Sequence, residues 1–358
     1  MSEDAGEAGR DDAHGEAKRA PSAPRDAWYV ACESSELGER PLGRSVLATP
    51  LALFRDASGA PGALLDRCPH RNAPLSRGRC AASGQLECGY HGWQFDRSGE
   101  CRAVPGLLGE PAESRARRAT AHATLERDGL VFVWGRAGAE PRGEPLLPPQ
   151  VSDPSYVVVR RSVDLECTLH AALENALDVP HTAFAHRGRF RGGVTNEIEA
   201  VRRRIPGGVE VEYVGERRGP GESRNRTDGG VIQHWDRFLM PSTAQVEYRD
   251  GKRHLLATIY HTPIHETLTR AVFVQCFKLP GPRFLTGALV ARSVDRVLRQ
   301  DVAILREQTA TIRRFGGEQY ASTALDLLGP EIWRMLRQAE RGLDPASKDV
   351  AARVKLRV

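Results

Sequence analysis

Two short segments of the chain each combine one cysteine with one histidine, and together they could hold a metal group. The first segment pairs Cys68 with His70, and the second pairs Cys88 with His91. Two thiolates and two imidazoles suit a [2Fe–2S] cluster in which one iron keeps the cysteines and the other takes the histidines. Imidazoles are neutral where thiolates are anionic, so such a cluster is easier to reduce than an all-cysteine cluster. These residues therefore predict electron transfer.

A structural zinc site is the alternative, because zinc also binds Cys and His in proteins. Zinc modules more often pair Cys with Cys and His with His, whereas both pairs in this chain are mixed. The flanking residues favour the cluster further. Gly89 and Gly92 let backbone amides approach the sulfurs, and Trp93 can help to exclude water. The sequence favours an iron–sulfur cluster and leaves zinc open.

The stretch from Cys68 to Asp96 resembles the Rieske domains of ring-hydroxylating oxygenases and related single-component oxygenases. The resemblance rests on the runs CPHRNAPLSRGRC and CGYHGWQFDRSGEC. It implies that Cys68, His70, Cys88 and His91 bind a [2Fe–2S] cluster.

A second candidate site lies in a helical stretch that contains His181 and His186. Five residues along an uninterrupted helix turn about 500°, so the two imidazoles would not share a face. Pro180 interrupts the helix, which would let both imidazoles converge on one ion. Two nearby histidines are weak evidence alone, since both could be ordinary surface or core residues.

The helix pattern around Asp301 predicts a carboxylate ligand for the same ion. Its apolar residues form one stripe at helical spacing, namely Val294, Val297, Leu298, Ile304 and Leu305. Asp301 falls inside the stripe, where an ionised carboxylate is costly to bury unless it is paired or bound to metal. Two histidines and one carboxylate leave positions open on Fe(II), as in non-haem iron oxygenases. A buried ion pair between Asp301 and an arginine remains the alternative.

These residues also resemble the catalytic domain of the Rieske non-haem iron oxygenase family, in its single-component branch. Asn175, Asp178, His181 and His186 match the iron-binding motif, and Asp301 matches an aspartate on a late helix. The resemblance implies Fe(II) held by both histidines and Asp301, with O2 as co-substrate. It also implies a ring of three chains, in which Asp178 links an iron-bound imidazole to a cluster imidazole of a neighbouring chain. Asn175 belongs to the same motif.

Strand-like segments, turns and helix patterns divide the chain into two folded domains. The predicted parts are a disordered extension (1–26), an all-β Rieske domain (27–136), a linker (137–155), an α+β catalytic domain (156–340) and a charged C-terminal tail (341–358). The α+β domain is predicted to hold an antiparallel sheet flanked by helices. Ser45 to Phe54 is predicted as one strand, Leu165 to Ala185 as a helical stretch, and Leu285 to about Arg314 as a long helix.

Composition excludes several other classes of protein. The 358 residues are 40% hydrophobic and 27% charged, which is ordinary for a globular protein. No apolar run approaches the ~18 residues that a membrane span needs. The net charge of +5 is mild, and the basic clusters lack interleaved aromatics, so no nucleic-acid partner is expected. Seven cysteines in a chain of this length do not form a disulfide framework, which fits a reducing cytoplasm.

These features predict an oxygenase component that takes electrons from a separate ferredoxin or flavin reductase. We expect it to use O2 at a mononuclear Fe(II) to hydroxylate or oxidatively demethylate a small, mainly apolar organic substrate. No G-x-G-x-x-G fingerprint follows a predicted strand, so NAD(P)H would act only indirectly, through the reductase. Two alternatives stay open at this point: a non-catalytic Rieske electron carrier and a zinc-stabilised binding protein.

Overall fold

The computed structural model describes residues 19–108, 112–186, 197–216, 232–280, 282–345 and 351–357. An all-β domain is followed by an α+β domain with a large antiparallel sheet, which confirms the predicted fold class. The first 18 residues of the predicted extension lie outside the described residues. In the described part of the chain, no helix is long and apolar enough to cross a membrane.

Short antiparallel strands in three small sheets form the N-terminal domain. They are β1 (Trp28–Glu33), β2 (Leu42–Val46), β3 (Thr49–Arg55), β4 (Pro61–Leu65), β5 (Arg79–Cys80), β6 (Leu86–Glu87), β7 (Gln94–Phe95), β8 (Cys101–Ala103), β9 (Ala121–His122), β10 (Thr124–Arg127) and β11 (Leu130–Trp134). The sheet orders are β1-β11-β10, β2-β3-β4-β9 and β5-β6-β7-β8. The first Cys–His segment precedes β5, and the second connects β6 to β7, so the third sheet carries both.

An eight-stranded antiparallel sheet forms the centre of the second domain. Its strands are β12 (Val157–Leu165), β13 (Glu197–Ile205), β14 (Gly208–Val214), β15 (Gln233–Leu239), β16 (Thr243–Asp250), β17 (Arg253–His265), β18 (Leu268–Lys278) and β19 (Ala352–Arg357). The order is β12-β18-β17-β16-β15-β14-β13-β19. The helices are α1 (Leu169–Leu177), α2 (Thr182–Ala185), α3 (Arg283–Arg314) and α4 (Gly329–Glu340).

The two faces of this sheet bury different partners. Ile259 on β17 packs in one core with helix residues such as Leu173 and Ile332. The next residue, Tyr260, packs with Phe132 of the N-terminal domain. Successive residues of a strand point to opposite faces, so the sheet separates the helices from the all-β domain.

The predicted interruption at Pro180 is confirmed, because this residue lies in the break between α1 and α2. One element differs from the predicted ones because of local backbone conformation. The predicted single strand from Ser45 to Phe54 is a hairpin of β2 and β3. Its turn places Leu47 and Ala48 at φ values of 52° and 59°, and two consecutive positive φ angles suit a tight hairpin turn.

Both termini are more ordered than predicted where they are described. Residues 352–357 form β19, which pairs with β13, so this part of the predicted charged tail is an edge strand of the sheet. Leu356 on this strand is buried. At the other end, the Tyr29 hydroxyl donates to the Pro24 carbonyl at 2.6 Å, and Ala23 packs against the cores of both domains. Residues 19–26 therefore pack on the folded domains.

Candidate metal centres

The two Cys–His segments form matching loops. The amide of Asn72 donates to the Cys68 carbonyl at 2.9 Å, and the amide of Gly92 donates to the Cys88 carbonyl at 3.0 Å. Asn72 and Gly92 both adopt the left-handed conformation, with φ of 61° and 71°. At Gly92 a Cβ atom would also lie 3.0 Å from the ring of Pro105. Each loop therefore closes four residues after its cysteine in the same way, and the second requires glycine.

At these loops the two cysteines lie together and the two histidines lie together. Cys68 and Cys88 are buried. Burial, with a smaller contribution from the adjacent Cys88 thiol, raises the pKa of the Cys68 thiol to about 11, although the backbone amides of His70 and Arg71 lower it. The rings of His70 and His91 lie 4.5 Å apart between centroids. A Rieske-type cluster has two cysteines on one iron and two histidines on the other. A buried pair of thiols beside a pair of imidazoles is the donor set for such a cluster.

An aromatic ring supports the imidazole pair. Trp93 stacks on His70 with centroids 4.6 Å apart and planes only 4° from parallel. The buried Nδ1 atom of His70 has no hydrogen-bond partner, and a buried nitrogen left in this way is costly unless a metal occupies its lone pair. These four residues therefore fit a [2Fe–2S] cluster. His91 and its neighbour Tyr90 are exposed, which leaves the histidine end of the loops at the protein surface.

A short helix spaces the two histidines of the second centre. His181 lies at the start of α2, and its carbonyl accepts from the Ala185 amide at 2.8 Å. His186 follows the last residue of α2 and leaves the helical conformation, with φ of −116° and ψ of 40°. The two rings meet at a centroid distance of 5.3 Å. The break at Pro180 and the brevity of α2 let residues five apart face one point.

Asp301 comes to this point from α3. Its Oδ1 atom lies 3.2 Å from His186 Nε2 and 4.0 Å from His181 Nε2. One ligand atom from each of these three residues lies within 4.8 Å of the others, and this is the one group of at least three such ligands among the described residues. Burial raises the pKa of Asp301 despite both histidines. Asp301 Oδ1 also lacks a hydrogen-bond partner, so a cation would offset its burial and the donor set fits Fe(II).

Three further side chains fix the orientation of these ligands. His186 Nδ1 lies 2.9 Å from Gln300 Oε1, so the imidazole donates there and turns Nε2 toward Asp301. His181 Nδ1 lies 3.6 Å from Asp178 Oδ2. Asn175 lies beside Asp301 and lowers the pKa of its carboxyl group. Groups of this kind set the tautomer and direction of metal-binding imidazoles.

A cavity of about 320 Å³ opens beside the second centre. Asn175, Asp178 and His181 line it from the α1–α2 segment, and Gln308 lines it from α3. The Oε1 atom of Gln308 is buried without a hydrogen-bond partner. Space for small molecules therefore adjoins His181.

Most residues of the predicted apolar stripe on α3 are only partly buried. Leu305 is buried, but Ile304 is exposed. Asp301 is nevertheless buried, and its neighbours are histidines rather than the arginine of the alternative interpretation. Gln300 was not predicted from the sequence as part of the site. A polar residue beside a candidate ligand on a helix was the one available signal, and many helix residues share it.

Comparison with known domain families decides the identity of both domains. Residues 27–110 match the Rieske [2Fe-2S] domain. Residues 165–342 match the vanillate O-demethylase oxygenase C-terminal domain. The chain belongs to the Rieske non-haem iron oxygenase family. A zinc-stabilised binding protein is therefore no longer a suitable interpretation, because the first domain is the one that carries the [2Fe–2S] cluster.

Relatives in the family include bacterial O-demethylases. The chain is 39% identical over 191 residues to the oxygenase component of dicamba O-demethylase from Stenotrophomonas maltophilia, covering 52% of this chain and 54% of that protein. It is 32% identical over 168 residues to the vanillate O-demethylase oxygenase subunit of a Pseudomonas strain, covering 46% and 45%. The chain thus spans about half the length of the curated relatives that it matches.

A solved structure of the family resembles this fold over nearly its whole length. The crystal structure of dicamba monooxygenase with non-haem iron and dicamba aligns with a TM-score of 0.68 at 26% identity. The alignment covers 88% of this chain and 97% of that structure. The Rieske oxygenase architecture of the two domains therefore extends well beyond the metal-site motifs.

Proposed function

We propose that this protein is the oxygenase component of a system that oxidatively demethylates a small, mainly apolar aromatic substrate. The observation that carries the proposal is the convergence of His181, His186 and Asp301 beside a cavity. An electron carrier would need the cluster domain alone, and the second domain with its buried three-residue site has no role in that alternative. Hydroxylation of an apolar substrate uses the same oxidation and is the nearest other outcome.

Each proposed residue has a distinct task. Cys68, Cys88, His70 and His91 hold the [2Fe–2S] cluster, while His181, His186 and Asp301 hold the mononuclear Fe(II). When bound, the cluster relays single electrons and the Fe(II) activates O2. Trp93 restricts water at the His70 ring, against which it stacks.

Other residues hold the iron ligands in place. Gln300 accepts from His186 Nδ1 and turns Nε2 of that imidazole toward Asp301. Asp178 faces Nδ1 of His181, and Asn175 lowers the pKa of the Asp301 carboxyl group. The pKa of His181, which burial alone would lower, is raised by Asp178 and Asp301. The same carboxylates favour a cation at this site.

The two relatives named above support demethylation as the form of the oxidation. Both are named as O-demethylase oxygenases. Oxidation of a methyl carbon next to oxygen gives an unstable hemiacetal, which releases formaldehyde and the free hydroxyl group. The proposed substrate is therefore a methoxylated aromatic compound.

We also propose the partners and the assembly. Because two electrons must enter for each O2, a separate ferredoxin or flavin reductase would supply them, with NAD(P)H as the indirect source. His91 and Tyr90 are exposed, and the Asp178 side chain is 34% exposed, so a cluster imidazole and this carboxylate could meet across a boundary between chains. A homotrimer would make that contact in a ring. None of the seven cysteines forms a disulfide, which agrees with a cytoplasmic location.

The test is turnover with a surrogate reductase and a panel of methoxylated aromatics. We expect O2 uptake, formaldehyde and a demethylated phenol in equal amounts for at least one compound. Asp301→Ala is the negative control, and Asp295→Asn on the same helix is the matched control, since Asp295 pairs with Arg161 instead. Hydroxylated product without formaldehyde would replace demethylation by hydroxylation. Absence of any O2-dependent product from reduced, iron-loaded protein across the panel would contradict the proposal.

A further inference from the structure

One acidic residue of the iron-site cavity has no task in the proposed ligand set. Glu174 lines the same cavity of about 320 Å³ as His181 and Asp178. That volume is large enough for several water molecules. A carboxyl group and an iron ligand therefore line one cavity that can hold water.

The fold holds Glu174 firmly in this position. It lies on α1, and Asp178, which follows the last residue of this helix, lines the same cavity. Its carboxylate packs directly on the main chain of Gly329, because a Cβ atom at that glycine would lie 1.9 Å from Glu174 Oε1. Gly329 is the first residue of α4, so any larger residue there would displace the carboxylate. The position of Glu174 depends on two helices and a glycine.

The groups that face Glu174 are mostly acidic. Asp178 follows it on the α1 side, Asp326 precedes α4, and Glu318 lies in the segment after α3. Tyr320 lines the cavity and lies beside Glu318. Burial, and to a smaller extent the three carboxylates, raise the pKa of Glu174 to about 7. A group with a pKa near the working pH can both give and regain a proton.

The proposed oxidation consumes protons. For each C–H bond that is oxidised, R–H + O2 + 2 e⁻ + 2 H⁺ gives R–OH + H2O. The electrons arrive from the reductase through the cluster, one oxygen atom enters the substrate, and the other leaves as water. Both protons must reach the oxygen atoms at the iron site, and the cavity that Glu174 lines adjoins that site.

We propose that Glu174 supplies one of these two protons through the water of the cavity. This inference rests on the proposed function. The O–H bond of the Glu174 carboxyl breaks, its proton passes to a cavity water, and that water gives a proton to the oxygen atom that leaves as water. The carboxylate then regains a proton from the solvent side of the cavity. Glu174 acts through water and does not contact the iron.

The experiment compares Glu174→Gln, Glu174→Asp and a control, Glu307→Gln. Glutamine keeps the shape of the side chain but cannot donate an acidic proton, whereas aspartate can. Glu307 lies on α3, is exposed and is not among the residues that line the cavity. Turnover of iron-loaded protein is measured from pH 6 to pH 9 in H2O and D2O. Infrared titration of the metal-free full-length protein follows the C=O band of a protonated carboxyl group.

We expect Glu174→Gln to lower turnover on the order of 100-fold, to increase the solvent isotope effect and to keep its iron and cluster. Wild-type turnover should fall as the pH rises through about 7, because the carboxyl group must be protonated to donate. The glutamine variant should lack this decline, and the aspartate variant should retain it at a reduced rate. Glu307→Gln should match the wild type. The infrared band should disappear near neutral pH in the wild type and be missing from Glu174→Gln.

Several outcomes would overturn the inference. Turnover of Glu174→Gln within twofold of the wild type, with the same pH profile and isotope effect, would do so. Loss of iron from that variant would assign Glu174 a structural role instead, as would a carboxyl band that titrates in the usual range for glutamate. If the wild type itself consumes no O2, the proposed function fails, while the infrared titration still decides whether Glu174 holds a proton near neutral pH.

Discussion

The cluster centre and the mononuclear centre reach the same result, a set of converging ligands, by opposite means. At the cluster centre, His70 and His91 come from two loops that close through hydrogen bonds within each loop. One loop leads from β4 toward β5 and the other joins β6 to β7, so both lie beside the small sheet β5-β6-β7-β8. At the mononuclear centre, His181 and His186 flank α2, but Asp301 comes from a different helix much later in the chain. The first centre depends on local geometry, and the second depends on the packing of α3 against the α1 segment.

This difference explains why the two centres should fail independently. The cluster loops lie outside the core that holds α1, α3 and the large sheet. Removal of one ligand at either centre should leave the other centre intact. The following predictions test that independence, from complete loss of activity to a change in stability.

The largest effect is expected for Asp301→Ala. This variant removes the carboxylate that lies 3.2 Å from His186 Nε2, so the mononuclear iron should be lost and turnover abolished. The visible and electron paramagnetic resonance spectra of the cluster should not change. Asp295→Asn is the control and should keep full activity. A loss of the cluster signal in Asp301→Ala would show that the two centres are not independent.

The reciprocal variant is Cys88→Ser. A serine hydroxyl is a poor substitute for a thiolate at a cluster iron, so the cluster spectrum and all turnover should disappear. Iron analysis should still find about one iron per chain, bound at the mononuclear centre. Cys80→Ser, at a cysteine outside both loops, should leave the spectrum unchanged. Loss of all iron from Cys88→Ser would contradict the separation of the centres.

A smaller effect is expected where the two centres communicate. Asp178→Asn keeps the size of the side chain but removes the charge that faces His181 Nδ1 at 3.6 Å. Iron and cluster should both be retained, while single-turnover oxidation of the reduced cluster slows roughly 10- to 100-fold. Unchanged single-turnover rates would show that Asp178 does not link the centres.

A smaller effect than that of Asp178→Asn is expected for Gln300→Leu. The change removes the acceptor for His186 Nδ1 and leaves that imidazole free to rotate or change tautomer. Metal affinity should fall about tenfold, measured by titration with Fe(II) under anaerobic conditions. Arg299→Leu, at the exposed neighbouring position, is the control. Equal affinities for Fe(II) in both variants would show that Gln300 does not orient His186.

The last prediction concerns stability alone, in the sheet of the second domain, and expects no direct effect on the metal centres. His234 is buried between Glu216 and Asp236, at 2.7 Å and 3.0 Å, and lies stacked between Tyr213 and Tyr248. Although burial disfavours its charge, the two carboxylates raise the pKa of His234 to about 9. A raised histidine pKa stabilises the folded state fully below about 6.5, and this contribution is lost as the pH rises through about 9.

The corresponding measurement is chemical unfolding of the second domain at several pH values. The free energy of unfolding should fall by about 3 kcal/mol between pH 6.5 and pH 9 in the wild type. His234→Gln should be less stable at pH 6.5 and should show almost no such dependence. His265→Gln, at an exposed histidine, should keep the wild-type slope. A wild-type slope in His234→Gln would assign the pH dependence to other groups.

The sequence predicted the local features well, because motif spacing and helix periodicity are local. The long helix predicted from Leu285 to about Arg314 is α3, and the two-domain fold class is confirmed. The hairpin of β2 and β3 was wrongly predicted as one strand, since Leu47 and Ala48 adopt positive φ without the glycine or asparagine that usually marks such a turn. The backbone conformation there is set by tertiary packing.

Non-local features were less accessible from the sequence. The pairing of β19 with β13 joins strands about 150 residues apart in the sequence. No pattern in the residues of β19 indicates which strand they pair with. Glu174 and Gln300 were also not predicted as parts of the site, because their roles depend on which residues the fold brings beside them. Asp301 was predicted, since a single acid in an apolar stripe is visible in the sequence itself. The ligand roles of the site residues stay predictions until metal is measured.

The most direct test of two separate iron centres is the iron and acid-labile sulfide content of anaerobically reconstituted protein, combined with Mössbauer spectroscopy. The account predicts about three irons and two sulfides per chain. Two of the irons should appear as an inequivalent cluster pair, and the third as a high-spin Fe(II) that is missing from Asp301→Ala. A preparation that saturates at two irons, or whose third iron persists in Asp301→Ala, would contradict it.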